Sequence, residues 1–458
     1  MFRTIVFLAF PLALAGCNAE IAGPMPDPDA AASPVDAAPA PPDDGASANR
    51  GDLAASSDLA LLPDLFMPPV DPCMGRNVAC PARPQNVTEG GGLVAIDRCA
   101  FALDEGTEWK SLAPLVTALG QKLPRKSVAD VLGDLNHTTT NVAAGSVPGQ
   151  PAGVQIAFAW DQAENVKTTW IPQGITGSAD ANPAGVVAGR HVVLVSFYYE
   201  PSSNTDPEKG VRLALVDVSA SPPQYRMLLL VTPAGTAQQP DFDPVTIHAG
   251  GLVWFGDLLY VADTNRGFRV FDLSQIMQVQ TDMDQIGCTN GVCRAGLYKY
   301  IVPQVGFFHR AGPCSPIFSF VALDRTLSPP ALVSGEYCSS TACAGPLDGR
   351  ILRWSLDPKT GRPVSGRSWA QVAFYMGQKQ VQGGVSAGDN FYLSSSAPAA
   401  GAGALYRVRA GRSAKSTWID APEDLILDVP RGLLWSQSES PPGSRVVFAA
   451  RRASYPPP

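Results

Sequence analysis

The stretch TIHAGGLVWFGDLLYVADTNRGFRVFDLS, residues 246–274, decides how the rest of the chain is read. Behind His248 and a pair of glycines comes an apolar run, then a Gly-Asp turn, a second apolar run, and a third opened by Gly267. The runs are short, rich in β-branched and aromatic residues, and bounded by Gly, Asp and Asn, which is the signature of strands. A fourth, GLYKYIVP, follows at 296.

The same order recurs along the chain. Upstream stand PQGITGSAD, HVVLVSFYY, GVRLALVDVS and YRMLLLVTP; downstream stand FSFVALD, ALVSGEY, GRILRWSLD and VAFYMGQ. VQGGVSAGD, FYLSSS, GALYRVRA and STWID form a further set, and PEDLILD, GLLWSQSE and SRVVFAA a last one without a clear fourth strand. Four strands repeated about five times, at roughly 40 to 75 residues each, predict an all-β fold built as a β-propeller. A blade cannot bury both faces of its sheet alone, so neighbours must stack. The spacing predicts five four-stranded blades, with material for a sixth in residues 85 to 165. The incomplete last set predicts closure by an N-terminal strand, either GGLVAID at 91 or VQIAFAWD at 154. A β-sandwich does not account for the repeated third strand. Helical periodicity is confined to about 106–135, where two short helices are expected.

The N-terminal residues carry an address. Arg3 precedes an apolar run too short to span a bilayer, ending in Leu14-Ala15-Gly16-Cys17. This looks like a bacterial lipobox, with Cys17 as the thiol that accepts lipid, and Asn18 in place of an aspartate suggests the outer membrane or cell surface. Residues 18–71 are Pro, Ala and Asp with almost no aromatics, a composition expected to stay disordered. They hold ten acids against Arg50 alone, more than the formal −7 of the whole chain, so residues 72–458 are near neutral. That balance argues against capture of nucleic acid. As a flexible coil this tether reaches roughly 40 Å. The expected organisation is a signal peptide (1–17), a tether (18–71), a disulfide-containing segment with helices and the closing strand (72–160), and the blades (161–453).

Apart from Cys17 there are eight cysteines, an even number that in an exported chain suggests disulfides. Eight allow 105 connectivities. Proximity in sequence selects Cys73 with Cys80, Cys288 with Cys293 and Cys338 with Cys343, leaving Cys99 for Cys314. Zinc is disfavoured because no CxxC pair occurs.

The phrases WIPQGITGSAD, HAGGLVWFGDLLYVADTNRGFRVFDL and LLWSQSESPPGSRVVFA resemble a group of uncharacterised bacterial secreted propellers, over roughly residues 165 to 450. The resemblance implies fold and export; it carries no activity and no catalytic residue.

Chemistry is expected first where the blades begin. Gln173, His248, Gln382 and the pair Glu423-Asp424 each precede a first strand. In a propeller those loops ring one mouth of the central channel, so these side chains should converge. Oxygen ligands there suit Ca²⁺ or another divalent metal, and His248 adds transition-metal or acid–base chemistry. The competing reading is that they hydrogen-bond the loops and cap the mouth. Gly384-Val-Ser386-Ala-Gly388 fits the nucleophile-elbow pattern but lies between two strands, not before a helix. His137, His191 and His309 read as packing or surface histidines, Asp263 and Glu336 as second-strand ends, and Asp217 and Asp272 as turn caps. The leading expectation is a surface-tethered module, anchored to the membrane by lipid, that binds a ligand, glycan or protein partner. The alternative is a metal-dependent hydrolase, lactonase- or glycosidase-like, with its site at the mouth.

Overall fold

The structure is a computed structural model that describes residues 71–203, 206–363, 366–396 and 403–458. Cys17, the signal segment and the tether up to residue 70 lie outside the described residues.

The apolar runs form the expected strands, grouped in five antiparallel sets. The first holds Trp170–Gly177, Val192–Tyr199, Val211–Asp217 and Gln224–Gly235. The second holds Leu252–Phe255, Leu258–Asp263, Gly267–Asp272 and Tyr300–Ala311. The third runs Phe320–Asp324, Ala331–Gly335, Arg350–Ser355, Val372–Tyr375. The fourth is Val381–Ala387, Asn390–Ser395, Ala404–Arg409, Arg412–Thr417. The fifth has Pro422–Asp428, Leu433–Ser438 and Val446–Arg451, completed by Val154–Ala159 from the N-terminal side.

Turn chemistry sets the hairpins. In the second and fourth sets the first two strands are joined by Gly256-Asp257 and Gly388-Asp389, with the glycines at φ 57° and 63°. Both are two-residue hairpins with positive φ at the first turn position, a conformation that only glycine adopts at no cost.

The first strand of each set packs against the first strand of the next, in the order of the chain, and the fifth returns to the first. That cyclic contact is the propeller arrangement. It also explains why whole strands such as Val211–Asp217 are buried on both faces: each sheet lies between two others, so alternation gives way to continuous apolar runs. The core is accordingly a series of inter-sheet layers. Trp160, Phe197, Tyr225 and Trp435 fill the layer between the fifth and first sets, and Phe320, Val333, Phe391 and Leu393 that between the third and fourth.

Closure falls to the strand at 154. The alternative, near 91, adds Val94–Ala95 to the outer edge of the third set. The remaining strands of residues 85–165 build no set of their own among the described residues. Ala102–Glu105 bridges the second set to Arg367–Trp369, and His137–Thr138 pairs with Gln224–Tyr225 of the first. The first helical stretch breaks after Ser111 into Glu108–Ser111 and Ala113–Lys122, with a proline entering the second piece. The second stretch is Val128–Leu132, opened by a reciprocal Ser127–Asp130 capping box. Val116 and Leu119 of the longer helix cover Leu229, Val231 and Ile301, where the outermost strands of the first two sets pair in parallel.

Two expectations need correction. The fourth strand of the fourth set is Arg412–Thr417, which takes in only Ser416 and Thr417 of STWID: the tight turn at Ala410-Gly411 starts pairing at once, and Trp418 and Ile419 enter the core instead. The disulfides are Cys73–Cys99 and Cys80–Cys314, together with the expected Cys288–Cys293 and Cys338–Cys343. Arg98 approaches Asp71, and Arg76 pairs with Asp97, which holds Cys73 at Cys99. Cys80 runs on with Pro81 and Arg83 to the third set, where Tyr375 and Asp348 receive them.

Candidate functional site

The residues singled out at the blade starts share a backbone device. In the first, fourth and fifth sets the register shifts at the head of the inner strand, between Pro172 and Ile175, Val381 and Gly383, and Pro422 and Leu425. Gln173, Gln382 and Glu423-Asp424 are the residues inserted there. A bulge re-aims side chains, and these are aimed in different directions.

Asp424 points inward and is fully buried. Its Oδ2 accepts the backbone N–H of Ile175 at 3.0 Å and of Leu252 at 3.4 Å, so one carboxyl joins the inner strands of three sets. Its Oδ1 has no partner. Burial holds this carboxyl well above the usual carboxylate range, and the charge of Asp180 adds to the rise against the backbone donors. The strands are close enough here that glycine is required: a Cβ on Gly251 would stand 2.1 Å from Val321 N, and one on Gly383 2.5 Å from Asp424 Cα. At this level the axis is filled by backbone.

Gln173 donates to its own neighbour's carbonyl, Pro172 O, and its backbone carbonyl accepts from Gln437 Nε2 at 2.6 Å. Gln382 and Glu423 do meet, with Gln382 Nε2 donating to Glu423 Oε1 at 3.0 Å. Glu423 is 3 % exposed. Burial pushes it well above its usual value, and Glu439, to which it is hydrogen-bonded, and Asp424 add to the effect. His248 is exposed and touches neither; its ring lies flat on Tyr198, with centroids 4.7 Å apart and planes 6° from parallel. Burial and the carboxylates of Glu200, Glu439 and Glu423 push the Tyr198 phenol up. The mouth is therefore a band running from His248 through Tyr198 to Glu439, Glu423 and Gln382. Beside Glu439 a cleft of about 390 Å³ is lined by Ile171, Ala421, Ser440 and Arg445.

Tyr198 and Glu439 were not among the expected site residues. Both stand at the C-terminal end of a second strand or just past it, which antiparallel pairing returns to the mouth where first strands start. That register was the available signal. Asp263 and Glu336 occupy similar ends but are engaged in ion pairs with Arg269 and Arg350. Among the described residues no three His, Cys, Asp or Glu side chains gather as a metal-ligand set. The expected Ca²⁺ or other divalent site does not fit this mouth: Asp424 Oδ2 faces backbone donors, Glu423 faces Gln382 and Glu439, and His248 is stacked on Tyr198.

At the opposite end, Ser386 Oγ is buried and donates to Asp324 Oδ2 at 2.5 Å, which also accepts Gly388 N; it is a strand-to-strand tie on a strand, with no helix behind it. His191 pairs with Asp428 at 3.0 Å, His137 with Asp161 at 2.8 Å, and His309 with Glu108 at 3.0 Å. Asp217 and Asp272 accept the N–H two residues on, from Ser219 and Ser274.

The chain matches no protein-family model and no curated protein sequence. Among solved structures it is similar to Kuenenia stuttgartiensis hydrazine synthase, at 12% identity over 59% of this chain and 74% of that one, with a TM-score of 0.26. It is also similar to the β-propeller domain of Myceliophteria thermophila Cps50 (Swd1), at 8% identity over 62% and 98%, TM-score 0.30. A GH43_1 enzyme from Xanthomonas citri matches at 7% identity over 74% and 93%, TM-score 0.27. Likenesses of this size carry no argument about function, and the fold rests on the strand pairing itself.

Proposed function

We propose that the chain is a lipid-anchored, five-bladed binding propeller that takes a glycan at the mouth marked by His248 and Tyr198. The observation that supports this reading is the flat His248–Tyr198 stack beside hydrogen-bonding groups of Glu439 and Gln382. An aromatic face offers apolar contact to a sugar ring, and carboxylates and amides accept its hydroxyls. Cys17 in its lipobox and the acidic tether support attachment to the cell envelope, outer membrane or surface, with the propeller held off the bilayer. Among the described residues no helix is long and apolar enough to cross a membrane.

Calorimetric titration with a panel of oligosaccharides tests the mouth. Tyr198→Ala and His248→Ala should each weaken the best binder about tenfold without moving the melting temperature by more than a few degrees. If no oligosaccharide binds, or both variants bind as the wild type does, the reading is wrong. Palmitate labelling that persists in Cys17→Ala would remove the anchor.

A hydrolytic reading has one observation in its favour: burial raises Glu423 well above its usual value, the direction in which a general acid is tuned. Against it, Glu423 and Glu439 are in hydrogen-bond contact, closer than the roughly 5 Å or more that separates glycosidase carboxyls. Hydrolysis of any glycoside or lactone abolished by Glu423→Gln would favour the enzyme.

A further inference from the structure

On the flank of the ring, between the third and fourth sets, lies a cleft of about 480 Å³, within the size range of small-molecule sites. Its walls carry Arg353 from the third set and Arg409 and Arg412 from the fourth, with Asp389 as the carboxylate among its lining residues. Phe374 and Phe391 supply an apolar floor, packed edge to face with centroids 5.9 Å apart.

The arginines are poorly matched by the chain. Arg409 and Arg412 are directly paired across the Ala410-Gly411 hairpin, so their side chains leave the same face of the sheet. Like charges so placed repel. Neither side chain has a hydrogen-bond or ion-pair partner among the described residues. Arg353 is nine-tenths buried; its Nη1 donates to Gly388 O at 2.9 Å and comes no nearer than 3.9 Å to Asp324, while its Nε has no partner. Its guanidinium also sits 5.9 Å over the Phe391 ring. Three guanidinium groups over an apolar floor thus outnumber the two carboxylates that act on Arg353, Asp324 and the lining Asp389, and the cleft carries surplus positive charge. Arginine forks meet carboxylate or phosphate oxygens with paired, charge-assisted hydrogen bonds.

We propose that this cleft binds an organic oxyanion, with a carboxylate or phosphate head between Arg409, Arg412 and Arg353 and its apolar body on Phe374 and Phe391. The site is separate from the mouth and stands or falls independently of it.

The full-length protein is titrated at low salt with benzoate, phenyl phosphate, inorganic phosphate and benzyl alcohol. Saturable binding of benzoate or phenyl phosphate is expected, tighter than inorganic phosphate, with none for benzyl alcohol. Preference between the first two identifies the head group. Arg409→Gln and Arg412→Gln should each weaken that binding about tenfold, the loss of one charge-assisted pair. Raising the salt should weaken it as well. Since the repulsion across the hairpin is relieved, neither variant should melt below the wild type. The proposal is overturned if neither aromatic anion binds in the millimolar range, if both variants bind unchanged, or if benzyl alcohol binds as well as benzoate.

Discussion

Replacing Asp180 with asparagine separates the electrostatics of the ring's far end from its packing. The Asp180 carboxyl is 1 % exposed and accepts from Thr176 Oγ1 at 2.8 Å, while Thr176 Oγ1 in turn accepts Trp254 N. Burial, with help from the negative charge of Asp428, pushes it from 3.8 to about 7; the Thr176 hydrogen bond and Arg325 pull the other way. An acid whose native value is raised keeps a proton that the unfolded chain has already released. Below about pH 4 both states hold it and the group is neutral to stability. From there to about pH 7 native stability falls as pH rises, and above that both states are ionised and the loss is complete. At ~1.4 kcal/mol per unit, a window of about three units is worth ~4 kcal/mol. Asparagine keeps an oxygen for Thr176 and has nothing to titrate. In urea unfolding at several pH values, the stability of Asp180→Asn minus that of the wild type should climb by ~4 kcal/mol between about pH 4 and 7, then level off. A difference that is flat across that range, or that falls, refutes the assignment.

Other expectations follow from burial and connectivity. Arg212 and Glu164 form a pair with both side chains at most 2 % exposed, so Glu164→Ala should cost about 3–5 kcal/mol by stranding the guanidinium. Removing Arg212 as well (Arg212→Leu) should recover part of that in thermal melts. Phe158 in the closing strand is fully buried, and Phe158→Ala should cost about 3–5 kcal/mol in denaturant titration; a cost near zero would mean that this strand does not close the ring. Serine at Cys80 and Cys314, whose bond spans 234 residues, should cost up to ~5 kcal/mol, and serine at Cys288 and Cys293 only ~2. Non-reducing peptide mapping should recover Cys73 linked to Cys99, and never to Cys80.

The recurring Gly-Asp turns and apolar runs made the strand sets legible because short-range physics controls them. The fourth strand of the fourth set escaped because Arg412–Thr417 is an outer strand whose residues are exposed or half-exposed. No apolar signature marks such a strand, whereas the apolar part of STWID, Trp418 and Ile419, lies just past the strand and belongs to the core. The disulfides at Cys73 and Cys80 depend on where an irregular segment crosses the third set, and spacing does not record that path. At the mouth, the recurrence of Gln173, Gln382 and Glu423 was visible as letters before or beside glycine, but its cause is a bulge. Which way each bulged side chain turns depends on the neighbouring set: Leu252 and Ile175 draw Asp424 inward, and Gln382 holds Glu423. Tyr198 and Glu439 come together only when the fifth set closes on the first.

That closure has a consequence for how the chain tolerates being cut. Val154–Ala159 is made before any of the sets, yet its mate is Val446–Arg451, the last strand of all. Until the final residues exist, every shorter chain carries an unpaired apolar edge at its start, open to pairing with other copies. Shortening from the C-terminal side should therefore not yield a series of progressively smaller stable rings. Loss of the last strand undoes the beginning of the molecule together with its end, and the expected product is insoluble protein.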